Sequence, residues 1–128
     1  MLCTVFFERW QISEERTKIF IKMITITNED NMELMARYED NHFDLAIVDP
    51  PYGIGISSNP VRQQHTKKDW DNAIPTKEYF DELFRVSKNQ IIWGGNYFDL
   101  PPTQGFYIWD KKQPHDFSLA MCEMAWSS

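Results

Sequence analysis

Apolar and polar positions along the chain follow two different periods, and the change between them outlines a fold. Within Phe43–Val48 the residues Leu45, Ala46, Ile47 and Val48 are continuously apolar, which predicts a strand buried on both faces. Further on, Phe80, Leu83, Phe84 and Ser87 fall on the i, i+3, i+4, i+7 stripe of an amphipathic helix over about residues 77–87, with Thr76 as its cap. Asn89–Trp93 and Phe106–Trp109 read as short strands. Residues 118–126 read as a last strand with Ala120, Cys122, Met124 and Trp126 on one face. Toward the start, Met23–Thr27 is a β-branched strand candidate, and Asn28 is placed to cap a helix over 29–38 in which Met32, Met35 and Ala36 recur at helical spacing. Strand, helix, strand in this order predicts a βαβ unit. Residues 8–22 read as a helix or a helix-to-strand passage, and 1–22 as an N-terminal extension ahead of one domain over 23–128. Residues 53–75 lack periodicity and carry Gly53, Gly55, Ser57, Ser58, Asn59 and Pro60, so a long loop is expected there.

Composition narrows this picture. A chain of 128 residues with 42% hydrophobic and 15% aromatic positions has the makings of one packed domain and excludes disordered, collagenous or low-complexity classes. Cys3 and Cys122 are too few for a disulfide scaffold or a thiolate metal site. The formal charge of −6 argues against binding nucleic acid by whole-molecule charge, so any such contact needs a local basic patch. Residues 54–68 provide one, with Arg62, His65, Lys67 and Lys68 and no carboxylate. Two readings stand for this stretch: a loop that closes over an extruded base and touches phosphate, or a solvated loop. No apolar run reaches the length of a membrane helix and the start has no basic leader region, so a cytoplasmic protein without membrane contact is expected.

The most informative residues are Asp49-Pro50-Pro51-Tyr52, directly after the apolar strand. In open α/β sheets ligands bind beyond the carboxyl ends of the strands, where Asp49 emerges. Each proline pushes the residue before it into an extended conformation and offers no N–H. The result is a stiff corner with free carbonyls, one carboxylate and one aromatic ring. A planar amino-heterocycle fits it: two exocyclic N–H groups donate to the Asp49 carboxylate and the Pro50 carbonyl while Tyr52 stacks on the ring. Adenine and cytosine both match. An aromatic amine is a poor nucleophile, and two acceptors aligned on its hydrogens favour the pyramidal, more nucleophilic form. Such a corner suits direct attack on an electrophilic methyl group by positioning alone.

These residues resemble the catalytic portion of amino-directed DNA methyltransferases, in particular the adenine-N6 class with Asp-Pro-Pro-Tyr and the subgroup in which this motif precedes the cofactor motif. Asn28–Met35, Asp44–Gly55, Gln90–Phe98, Trp109-Asp110-Lys111 and Glu123–Ser127 are similar as well. The resemblance covers about residues 23–128. It implies a Rossmann-like α/β fold of the S-adenosylmethionine-dependent methyltransferase type, incomplete in this chain, acting on double-stranded DNA. By position it implies that Asp49 and Pro50 hold the target amine and that Tyr52 stacks on the flipped base. Pro51, Gly53, Arg62, Lys67 and Lys68 join the substrate side, and Asp30 together with Asp49 lies near S-adenosylmethionine. The cytosine-N4 reaction stays open beside adenine-N6.

The family's glycine-rich cofactor loop has no counterpart. Gly53-Ile54-Gly55 lacks a third glycine because residue 58 is serine, and Gly94-Gly95 runs into Asn96-Tyr97. A catalytic fragment, a split-enzyme subunit and a non-catalytic remnant are the resulting alternatives. An interrupted sheet also leaves an unpaired edge, so a homodimer or a complementing cofactor-binding chain is expected. His42, His65 and His115 have no partners at metal-ligand spacing. The aromatic residues of Trp93–Phe98 and Phe106–Trp109 are expected mainly in the core, with Asn96 and Tyr97 as candidates to line a pocket.

Overall fold

The computed structural model describes residues 3–7, 26–55, 71–114, 116 and 120–128. Its elements are β1 (Cys3–Phe7), α1 (Asn31–Met35), β2 (Leu45–Asp49), α2 (Lys77–Val86), β3 (Gln90–Trp93), a 3₁₀ turn (Gly95–Tyr97), β4 (Gly105–Asp110) and β5 (Cys122–Ser127). The architecture is α/β, built on a mixed five-stranded sheet in the order β1-β2-β3-β5-β4. Among the described strands only β2 and β3 are parallel neighbours, and α2 lies between them in the chain, so they form a βαβ unit. The unit expected over Met23–Val48 has most of its first strand outside the described residues. β1, β5 and β4 each pair antiparallel with their neighbours. Cys3–Phe7, which the sequence reading gave no element, pairs with β2 from Cys3↔Asp49 to Phe7↔Leu45. Residues 8–25 lie outside the described residues, and with them the expected passage over 8–22 and most of the Met23–Thr27 strand; Ile26 and Thr27 belong to no strand.

Register explains which side chains form the core. Val48, Ile92 and Trp126 fall in one row across β2, β3 and β5, and Ala46 lies on the same face. These residues pack with Met35 of α1 and with Phe80, Leu83 and Val86 of α2. The opposite face carries Ile47, Ile91, Trp93 and Tyr107, and neither described helix covers it. This corrects the expectation for β2. Ala46 and Val48 are buried, Leu45 and Ile47 only half-buried, because both described helices pack on the face of Ala46 and Val48. The apolar run marked a strand but not two-sided burial.

Helix α1 departs from its expected bounds for a local reason. Asp30, not Asn28, is the N-cap, with Oδ1 accepting from the N–H groups of Met32 (2.8 Å) and Glu33 (3.2 Å). After Met35 the chain tightens: the N–H groups of Arg37 and Tyr38 donate to the carbonyls of Leu34 and Met35, three residues back rather than four. Arg85 of α2 then donates to the carbonyls of Met35 (3.2 Å), which also accepts from Tyr38, and of Tyr38 (2.9 Å), tying the end of α1 to α2. Thr76 sits at the N-cap of α2 without a side-chain capping bond. Ser87, expected on the apolar stripe, is the buried C-cap residue, with its hydroxyl on the Leu83 carbonyl at 2.5 Å.

At the sheet's edge, β4 is exposed along its whole length, including Phe106, Tyr107, Ile108 and Trp109. Those four do not enter the core expected for them. In β5 the buried residues are Ala125 and Trp126, while Cys122 is exposed and Ala120 precedes the strand. Within β5 the residues Cys122, Met124 and Trp126 alternate onto one face as expected, and of these three Trp126 is the buried one. Among the described residues no helix is long and apolar enough to cross a membrane.

Candidate active site

Strand direction brings the chemistry to one end of the sheet. β2 and β3 are parallel, so Asp49 and Trp93 finish at the same end. Antiparallel β5 starts there with Cys122 and Glu123, and β4 finishes there with Trp109 and Asp110. The corner 50–53, the turn Gly94–Tyr97 and Lys111 thus gather beyond the strand ends, the location at which open α/β sheets place ligands.

The corner itself is rigid. Pro50 is fully buried, while Asp49 beside it is exposed and Pro51 and Tyr52 are half-buried. The Tyr52 hydroxyl donates to Asp49 Oδ1 at 2.7 Å, which leaves Oδ2 to accept from a ligand. The Tyr52 ring stacks on Tyr97, with centroids 4.9 Å apart and planes 10° from parallel, an offset aromatic pair. On another side it meets Phe98 at 6.2 Å, and Phe98 packs on Phe80 of the core. Tyr97 therefore joins the site through its ring contact with Tyr52, although it is exposed like Asn96. The spacing of the two tyrosines leaves no room for a base between them. A planar ligand stacks on the other ring face of Tyr52 or takes the place of Tyr97.

Gly94 and Gly95 serve packing. Gly94 has φ 70°, and a Cβ there would lie 2.2 Å from Tyr52 Cε1. A Cβ on Gly95 would lie 2.5 Å from Trp126 Cβ. Close backbone approach is a usual meaning of glycine at a strand end, and it was the signal available in the sequence. The space that two glycines open is filled by Tyr52 and Trp126, so these residues form no cradle for a cofactor.

Among the described residues, the Asp49 and Glu123 carboxylates put negative charge beside Tyr52. Burial, the hydrogen bond to Asp49 and the nearby Asp49 and Glu123 carboxylates together hold the Tyr52 phenol well above the usual tyrosine range. Its hydroxyl is thus a fixed donor at physiological pH. Lys111 is paired with Glu123 and lies 5.6 Å from the centre of the Trp109 ring. A site of exposed carboxylate and aromatic rings suits a planar ligand that presents N–H donors, rather than an anion.

The structure places the remaining sequence candidates as follows. Gly53 has φ 68° and donates its N–H to Asp71 Oδ1. Asp30 is exposed and caps α1, and that is the role its hydrogen bonds show. Arg62, Lys67, Lys68 and His65 lie outside the described residues. Asp71 was missed, since it belongs to no recognisable spacing, whereas Gly94 and Glu123 lie in segments the resemblance covers but were given no place in the site. Among the described residues no cluster of histidine, cysteine and carboxylate side chains could hold a metal ion. Comparison with known protein families, with curated proteins and with solved structures finds no match.

Proposed function

We propose that this chain is the amine-holding, catalytic portion of a site-specific DNA methyltransferase that modifies the N6 amine of a flipped adenine. The fold is read as Rossmann-like, and S-adenosylmethionine as the methyl donor. The observation that carries the reading is the corner Asp49–Tyr52: an exposed carboxylate at the end of a central parallel strand, with a buried proline behind it and a tyrosine ring held flat beside it. Asp49 Oδ2 accepts one amine hydrogen and the Pro50 carbonyl the other, while Tyr52 aligns the ring. Asp49 acts by orienting and polarising the amine, because the proton becomes acidic only once the methyl has transferred. Cytosine-N4 is the alternative amine for the same corner.

Stacking by Tyr52 is testable with 2-aminopurine at the target position of a duplex, using the chain together with a complementing cofactor-binding portion. Base extrusion raises the fluorescence, and Tyr52→Ala is expected to reduce that rise and to weaken binding by about 1–3 kcal/mol. Unaltered extrusion and affinity would remove stacking from the role of Tyr52.

A second reading, a non-catalytic remnant or a split-enzyme subunit that works with a partner chain, is favoured by one observation. Gly94 and Gly95, the paired glycines at a strand end, are closed by Tyr52 and Trp126. On this reading Gly94 and Gly95 offer no cofactor cradle, and a partner chain supplies one. Calorimetry of the isolated chain with S-adenosylmethionine separates the readings: no heat at millimolar ligand is expected if the cradle comes from elsewhere, and micromolar binding would assign it to this chain. A homodimer or a complementing chain is part of the same proposal.

A further inference from the structure

The corner is held from beneath by a carboxylate that no motif singles out. Asp71 is 1% exposed, and its Oδ1 accepts from the backbone N–H groups of Tyr52 (3.0 Å) and Gly53 (3.1 Å). Its own carbonyl accepts from the Gly55 N–H at 3.1 Å. Three N–H groups of the corner therefore converge on one residue that is distant in sequence.

We infer that Asp71 is a positioning residue for the amine-holding corner, fixing the backbone that follows Pro51 and with it the direction in which the tyrosine ring is presented. What the corner holds rests on the function proposed above; the clamp itself does not. Pro50 and Pro51 have no N–H, so Tyr52 and Gly53 supply the first backbone donors after β2 by which this stretch can be tied down. A trans peptide plane sets N–H and C=O antiparallel. Drawing the Tyr52 N–H onto Asp71 therefore turns the Pro51 carbonyl away from Asp71, and the Gly53 N–H does the same to the carbonyl of Tyr52.

The prolines restrict φ at 50 and 51, and Asp71 fixes the torsions that follow. Gly53, with φ 68°, supplies the left-handed bend directly after the two bonded N–H groups, a conformation that glycine adopts without strain. With the backbone so held, the Tyr52 ring reaches Gly94 and Tyr97, and its hydroxyl reaches Asp49.

Amide hydrogen exchange tests this on the full chain. In the wild type the Tyr52 and Gly53 amides are expected to exchange about tenfold or more below their intrinsic rates, although Gly53 is an exposed residue. In Asp71→Ala that protection is lost, while the amides of Phe43 and Ala46, bonded to the carbonyls of Val86 and Asn89, keep theirs. Asp71→Asn retains a side-chain oxygen and restores most of the protection. Intrinsic-rate exchange at Tyr52 and Gly53 in the wild type would overturn the assignment without any variant. Equal acceleration at all four amides in Asp71→Ala would also overturn it, by showing general loosening.

With a complementing cofactor-binding portion, kcat for methyl transfer should fall in Asp71→Ala and return in Asp71→Asn, with little change in KM for the methyl donor. An unchanged kcat would end the positioning role. A wild-type chain that methylates nothing would count against the proposed function and leave the exchange comparison to decide on Asp71.

Discussion

Asp49→Ala is expected to lower methyl transfer by about 10²–10³-fold, the scale seen when a preorganised polar group is removed from a reacting centre, while the melting curve stays close to that of the wild type. Both halves of this expectation come from placement. Asp49 is exposed at the last position of β2, so shortening it opens no core cavity, and surface substitutions ordinarily change stability by about 0.5 kcal/mol or less. Its described side-chain partner is the Tyr52 hydroxyl, and the rest of its hydrogen-bonding capacity faces the site. Asp49→Asn, which keeps one acceptor oxygen, should fall between alanine and the wild type. The measurement is incorporation of labelled methyl groups into a duplex by the chain with a complementing cofactor-binding portion, alongside thermal melting. Full activity in Asp49→Ala would mean that the amine is held elsewhere.

Gly94→Ala should have the largest effect on stability. At φ 70° an L-residue costs about 1–2 kcal/mol, and the added Cβ would lie 2.2 Å from Tyr52 Cε1. Forcing an extra carbon into a packed contact typically costs a further 1–3 kcal/mol or so. For a domain of this size the sum corresponds to a fall in Tm on the order of 10 °C. The ring of Tyr52 is the group with somewhere to move, so its contact with Tyr97 and its bond to Asp49 should be lost together. Gly105→Ala is the control, since a Cβ there meets nothing within 4 Å. Calorimetric melting of both variants checks the pair. Equal Tm values would show that the ring does not rest on Gly94.

The sequence made some of this legible for identifiable reasons. Helix α2 and strands β2 and β3 were readable because their apolar spacing is local and their packing agrees with it. The corner was readable because two prolines after an apolar strand leave the backbone little choice. Two-sided burial of β2 was not readable, since an apolar run records what a strand tolerates and not how many helices cover it. Asn28 was preferred to Asp30 as a cap because both residue types suit that position, and the choice depends on where the first turn begins. Asp71 was invisible for a different reason. Its role arises because a residue 19 positions after Tyr52 comes to lie beneath the corner, and no periodicity marks a return of that kind.

The antiparallel course of β5 has a practical consequence for measurement. It carries Cys122, an exposed free thiol, to the end of the sheet that holds Asp49 and Tyr52, and Cys122 adjoins the Glu123 whose charge reaches the tyrosine. A thiol-reactive fluorophore at that position reports on the site from its rim without replacing any residue assigned to it. Backbone register sets Cys3 opposite Asp49, so Cys3→Ser gives a single attachment point and an optical signal for occupancy that is independent of turnover.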